Sequence, residues 1–262
     1  MSKPVTKSAL PKAKPVIGWP GGKTRLLSYI LPLIPAHRRY IEVFFGGGAV
    51  FFAKTPAPVE VINDINGDLV AFMRNAKSHC DELLKELDLV LNSRREFEDY
   101  KAQPGLTEIQ RAARWFLRNK LSFSGMGRDF AVTKSQPMSS RAARLEAIRA
   151  LSDRLDKTTI EERSWEKILK THDHEEAFFF LDPPYLDAGG ACYEGWTEQT
   201  LAEFADAVQG LKGAWMVTFQ DCSQIRAHFA GCKIKAIARA NGINNTAGKT
   251  DRTYREVIIT KA

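Results

Sequence analysis

The stretch FFFLDPPY, residues 178–185, decides how the rest of the chain is read. Three phenylalanines and a leucine make an unbroken apolar run, the pattern of a strand buried on both faces in a parallel sheet. Pro183 and Pro184 cannot continue it, because neither has an N–H to give to the ladder. Asp182 and Tyr185 therefore fall where a central strand stops. That is the sheet edge where open α/β folds bind their ligands. A strand followed by a Pro-Pro turn with an incidental polar cap would look the same over so short a stretch, so the remaining sequence has to separate the two.

Strand and helix patterns alternate on both sides of this stretch. RRYIEVFF reads as a strand leading through GGGAVFFA into a helix, and PVEVINDI as a second strand followed by the helix NGDLVAFMRNAK. GGKTRLLSYILPLIP predicts an early helix opening at its glycines. After the 178–185 stretch come TEQTLAEFADAVQGL, AWMVTFQ, DCSQIRAHFAG, KIKAIAR and TYREVIIT. This order predicts a Rossmann-like, mostly parallel sheet with helices on both faces. Residues 76–165 interrupt it and read as mainly helical, with amphipathic patterns in CDELLKELDLVLN, TEIQRAARWFLRNKL and SSRAARLEAIRALSDRL. Between these lies the punctuated loop SFSGMGRDFAVTKSQP. The expected organisation is a basic, flexible arm over residues 1–14, a catalytic domain from 15–75 and 166–262, and an inserted helical domain over 76–165.

Composition narrows the class. With 44% hydrophobic and 26% charged residues over 262 positions, the chain has the make-up of a globular protein. No apolar run approaches the roughly 18 residues of a membrane span, and no secretory signal pattern opens the chain. Cys80, Cys192, Cys222 and Cys232 lack CxxC spacing, which argues against a metal site and for free thiols in a reducing cytoplasm. The net charge of +7 is concentrated: residues 111–154 hold ten Arg or Lys against three Asp or Glu. Arg111, Arg114 and Arg118 recur at helical spacing, and Arg141, Arg144 and Arg149 lie close to it. A one-sided arginine surface suits nucleic-acid phosphates, although charge on a helix is more often simply solvated.

Two glycine-rich stretches carry further chemistry. In YIEVFFGGGAVFF, residues 40–52, a buried strand meets a glycine turn that lets backbone approach a ligand. A dinucleotide fingerprint counted from Gly46 and Gly48 would need glycine where Phe51 stands, so that reading fails. Asp64, at the tip of the next strand, occupies the position where Rossmann-like sheets hold a ribose hydroxyl. A nucleoside cofactor without an essential pyrophosphate, such as S-adenosylmethionine, fits better than NAD. WPGGKTRLL, residues 19–27, adds Trp19, paired glycines and Lys23.

Taken together, these stretches resemble the Dam-like family of DNA adenine N6-methyltransferases. In that family an aromatic-x-Gly-Gly-Lys segment, a strand ending in three glycines, an Asn-Asp turn and a late Asp-Pro-Pro-Tyr follow in this order. Here they are Trp19–Lys23, Phe44–Gly48, Asn63 with Asp64, and Asp182–Tyr185. FLRNKLSFSGMGRDFAV is similar to the family's Asn-x-x-x-Phe-x-Gly-x-x-Arg segment, with its arginine at Arg128. The resemblance runs from about residue 15 to the C-terminus. It implies that Trp19, Lys23, Asp64 and Asp182 contact S-adenosylmethionine, with Gly46 and Gly48 beneath it. Pro20 and the VTFQD turn at 217–221 depart from the family pattern.

The implied reaction suits these groups. The N6 amine of adenine is a weak nucleophile, because its lone pair is delocalised into the ring. Asp182 and the carbonyl of Pro183 would accept its two N–H bonds and aim the lone pair at an activated methyl. N6 lies within a base pair, so the adenine has to leave the stack, and Tyr185 offers it a ring to lie on. Arg111, Arg114 and Arg128 are the expected DNA contacts. The resemblance thus implies a monomer acting on double-stranded DNA in the cytoplasm of a bacterial or phage-infected cell, without metal or membrane. The recognised site and any restriction partner are left open. So are an RNA adenine acceptor and a silent DNA-binding protein on the same fold.

Overall fold

A computed structural model describes residues 14–131, 140–185, 196–240 and 253–261. Apart from Lys14, the basic arm expected over 1–14 lies outside the described residues, as does Cys192. The chain divides into two compact units. One takes the described residues up to Leu31, Gly46–Pro56 and those within Asn66–Ile160; the other takes Pro32–Phe45, Ala57–Ile65 and those from Glu161 onward.

Seven strands among the described residues form one sheet: β1 Arg39–Glu42, β2 Val59–Asn63, β3 Thr158–Glu161, β4 Ala177–Leu181, β5 Ala214–Gln220, β6 Lys233–Ala240 and β7 Thr253–Thr260. Their order is β3-β2-β1-β4-β5-β7-β6. β2, β1, β4 and β5 pair in parallel, while β7 runs antiparallel to both β5 and β6. All five residues of β4 are buried, as the continuous apolar run requires of a strand flanked by β1 and β5. The order reverses between β1 and β4. The carboxyl ends of two such strands are where sheets of this kind hold ligands.

In the second unit, helices α8 (Trp165–His172), α9 (Glu198–Gln209) and α10 (Ser223–His228) contribute Ile168, Leu169, Leu201, Phe204 and Ile225 to one apolar cluster. Phe179, Leu181, Val217 and Phe219 complete it from the sheet, one face of alternating strand positions.

The first unit is helical: α1 Leu27–Ile30, α2 Ala49–Ala53, α3 Gly67–Ser78, α4 Cys80–Asp88, α5 Arg94–Ala102, α6 Glu108–Lys120 and α7 Arg141–Leu155. Thr107 and Gln110 form a reciprocal capping box that starts α6, and Ser140 caps α7. Phe72 of α3 stacks on Phe116 of α6 with ring centroids 5.1 Å apart, amid buried Leu83, Leu87, Ile148 and Leu151. No helix of the described residues is long and apolar enough to cross a membrane.

Three local expectations are corrected. Residues 158–161, read as helix, form β3; TTIE is short and rich in β-branched residues, which favour a pleated strand over a helix. The early helix is one α-turn between two 3₁₀ turns, because Pro32 and Pro35 prevent its extension. α4 stops at Asp88, which leaves Leu89 and Leu91 exposed rather than on an apolar face.

Candidate functional site

In the second unit, Asp64 and Asp182 stand just beyond the carboxyl ends of β2 and β4, the two strands that flank β1. Asn63, itself buried, organises the first of these ends. Its Nδ2 donates to the carbonyls of Val43 (2.9 Å) and Arg163 (3.0 Å), and its Oδ1 accepts from the Arg163 N–H (2.9 Å). The Phe45 N–H donates to the Asn63 carbonyl at 2.8 Å, so the exit of β1 is tied to the tip of β2. The half-buried Asp64 and the exposed Ile65 follow directly.

At the end of β4, the fully buried hydroxyl of Thr218 on β5 donates to Asp182 Oδ1 at 2.7 Å. The Tyr185 hydroxyl donates to Glu256 Oε1 of β7 at 3.2 Å, and its ring leans on Phe219 with centroids 6.0 Å apart. Both residues after the strand are thereby oriented by side chains of the antiparallel β5–β7 pair. A hydrogen bond to one carboxylate oxygen fixes the plane of the group, which is what an acceptor aimed at a substrate N–H requires. Asp221, where the sequence departs from the family turn, is engaged elsewhere. Arg226 donates to its two oxygens at 2.7 and 3.0 Å and holds its carboxyl below the usual range.

In the first unit, the glycine turn carries Gly46 and Gly48 at positive φ (47° and 65°). A Cβ on Gly46 would come within 2.7 Å of the Trp19 ring, so only glycine fits there and the ring lies directly on the turn. Lys23 is buried to 5% exposure and donates from Nζ to the Gly21 carbonyl at 2.8 Å. The Asn-x-x-x-Phe-x-Gly-x-x-Arg segment closes into a compact loop after α6. The Ser122 hydroxyl accepts from the Gly127 N–H at 2.6 Å, and Arg118 donates to the Gly127 carbonyl at 3.0 Å. Ser124 sits at φ 52°, and the loop presents Phe123 (59% exposed), Met126 and Arg128 to solvent.

The arginines of residues 111–154 do not form one exposed stripe. Arg111 donates to the Leu106 carbonyl (3.4 Å), and Arg114 to the Gln103 carbonyl (2.7 Å) while lying over the Tyr100 ring. Arg141 pairs with Asp88 at 2.8 Å. Arg144 is buried and donates to Asn92 Oδ1 at 2.6 Å. Burial and the neighbouring Arg141 depress its pKa, as burial and Arg144 depress that of Lys120. The expected surface breaks here because Arg144 points into the helical core. Arg128 is exposed, and its carbonyl accepts from Lys101 Nζ at 2.9 Å.

Sequence reasoning missed Thr218, Glu256 and the exposed Phe123 and Met126. Thr218 did leave a trace, being a polar residue inside the apolar run of AWMVTFQ, whereas Glu256 follows Arg255 and precedes the apolar part of its strand.

A sheet that reverses at β1/β4, with an acid just after β2 and an Asp-Pro-Pro-Tyr end on β4, is the arrangement of a methyltransferase-type α/β fold. The chain belongs to the family of D12 class N6 adenine-specific DNA methyltransferases, whose model matches residues 19–239. It is 27% identical over 279 residues to the type II methyltransferase M1.LlaDCHI of Lactococcus lactis subsp. cremoris, covering 94% of this chain and 95% of the relative. The type II methyltransferase M.MjaIII of Methanocaldococcus jannaschii is 29% identical over 202 residues, 66% of this chain and 70% of its own. A DNA N-6-adenine-methyltransferase of Escherichia phage P1 is 29% identical over 134 residues, 47% of this chain and 17% of its own. The protein is therefore a DNA methyltransferase acting on N6 of adenine.

Proposed function

We propose that the chain methylates an adenine extruded from double-stranded DNA, with Asp182 as the acceptor that orients N6. The observation that carries this reading is the Thr218–Asp182 hydrogen bond at the end of the central strand, since it presents a carboxylate in a fixed plane. Asp182 and the Pro183 carbonyl accept the two N6–H bonds, which draws the nitrogen toward tetrahedral geometry and frees its lone pair. Tyr185, its hydroxyl held by Glu256, supplies the face on which the extruded ring stacks. As the N–C bond forms, Asp182 stabilises the positive charge on N6. The proton then leaves through Asp182 or water.

S-adenosylmethionine, when bound, supplies the activated methyl on its sulfonium. In the second unit Asp64 would hold the ribose hydroxyls, and the exposed Ile65 beside it offers an apolar surface to the purine. In the first unit the Trp19 ring packs on the glycine turn at Gly46, and Trp19 and the Lys23 cation would contact the rest of the cofactor. The helical segment over 76–165 would carry recognition, with Arg128, Arg111 and Arg114 as its DNA contacts. Residues 15–75 and 166–262 would carry catalysis. The setting that fits is the cytoplasm of a bacterial or phage-infected cell, with the chain as a monomer and no metal required.

The test is release of S-adenosylhomocysteine with a library of duplex DNA, single-stranded DNA and RNA acceptors, followed by nucleoside analysis of the product. N6-methyladenine formed chiefly in duplex DNA and lost with Asp182→Ala supports the reading. Full turnover by Asp182→Ala sinks it.

A further inference from the structure

Asn119, the first residue of the Asn-x-x-x-Phe-x-Gly-x-x-Arg segment, is buried in the last turn of α6, where a polar side chain needs partners. It finds them on two separate backbones. Its Nδ2 donates to the carbonyls of Gly18 (2.7 Å) and Gly125 (2.8 Å), and its Oδ1 accepts from the Gly18 N–H (2.9 Å). One amide thus satisfies both polar groups of Gly18, a residue 101 positions away in sequence.

The two backbones it joins also touch. A Cβ on Gly125, which has φ +75°, would lie 2.2 Å from the Gly18 carbonyl oxygen, and one on Gly18 would lie 3.1 Å from the Gly125 Cα. There is no slack at this contact. On one side of it the chain continues to Trp19, whose ring rests on Gly46. On the other side lies the loop that exposes Phe123, Met126 and Arg128.

We propose that Asn119 is a positioning residue that couples the cofactor segment to the DNA-reading loop, so that cofactor held at Trp19 strengthens the loop's discrimination among DNA sites. The inference rests on the assignment of Trp19 to the cofactor and of Arg128 to DNA. Its physical basis is shared ordering. When two ligand-binding segments share one stiff junction, a ligand that orders one segment also restricts the other, and the second ligand binds with less ordering left to do. By linkage the effect is reciprocal, and DNA bound at the loop tightens the cofactor equally.

The experiment measures affinity of the full chain for two duplexes, with and without saturating S-adenosylhomocysteine. One duplex carries the motif found methylated in cells expressing the protein, and the other a shuffled motif. In the unmodified protein the cofactor product should tighten the specific duplex by roughly fivefold or more, the lower end of measured couplings, and the shuffled one far less. Asn119→Ala should bring that ratio below about twofold while cofactor affinity without DNA changes less than about threefold. Gly18→Ala, which only presses the two backbones apart, should fall between and serves where Asn119→Ala fails to fold. A merely structural role would lower the melting temperature and weaken both ligands alike, with the ratio intact. An unchanged ratio in the folded variants, or a ratio near one in the unmodified protein, overturns the proposal. Trp19→Ala and Arg128→Ala, measured alongside, separate the layers. If these keep full cofactor and DNA affinity, the site assignment itself fails. If they lose affinity while Asn119→Ala keeps the ratio, only the coupling does.

Discussion

The end of β4 and the arginine-rich segment 111–154 both gather polar side chains, and they use them in opposite ways. At β4, partners within the sheet orient the residues that follow the strand: Thr218 holds Asp182, and Glu256 holds Tyr185. In the helical segment, arginines hold the protein itself. Arg111, Arg114 and Arg118 bond loop carbonyls, Arg154 bonds the Phe51 carbonyl and stacks on its ring, and Arg144 is buried. A fixed acceptor at a strand end is poised for chemistry. A guanidinium engaged with a carbonyl does structural duty first.

The comparison makes its largest prediction at Asp182. Asp182→Ala should lower single-turnover methyl transfer by on the order of 10²–10³-fold or more, the scale of removing a group that stabilises developing charge. DNA affinity, read by fluorescence anisotropy, should stay near that of the unmodified protein. Next comes Asp64→Ala, which should weaken S-adenosylmethionine by about 1.5–3 kcal/mol by calorimetry, the range of hydrogen bonds to charged groups. Unchanged binding would remove Asp64 from the site.

Thr218→Val keeps the shape of the buried side chain and deletes its donor. Turnover should fall by roughly ten- to a hundredfold, about one charged hydrogen bond's worth, with KM for DNA unaltered and Thr218→Ser restoring the rate. Equal loss in the serine variant would mean that Thr218 acts through packing alone.

The smallest effects belong to the helical segment. Arg128→Ala should cost about 1–3 kcal/mol on the methylated motif and little elsewhere if it meets a guanine edge, or weaken all duplexes equally if it meets phosphate. Arg114→Ala should flatten the salt dependence of binding by less than the roughly 0.9 expected for one full phosphate contact, because its guanidinium already serves Gln103 and Tyr100. A full unit of change would show that the sheet end and the helical segment are less different than the side-chain geometry indicates.

What could be read from sequence follows the same division. The β4 run, its proline stop and the glycine turn before α2 are local effects of sterics and hydrogen bonding, so they were legible residue by residue. β3 was not, because a four-residue strand after a long helix carries too little periodicity to stand out. The residues that orient the site were hidden for another reason. Thr218 and Glu256 act on groups 36 and 71 positions away, and Asn119 on one 101 away, so only the fold reveals their partners. Charge counting reports how many arginines a segment has and not what they hold, so the burial of Arg144 was not legible in it.

The most direct measurement is the structure of the full chain with a duplex carrying its methylated motif and S-adenosylhomocysteine. The target adenine should be out of the stack, its ring against Tyr185, and N6 within about 2.6–3.2 Å of an Asp182 oxygen. An adenine still paired in the duplex in a complex bound at its motif, or an extruded one whose N6 has no contact with Asp182, would contradict it.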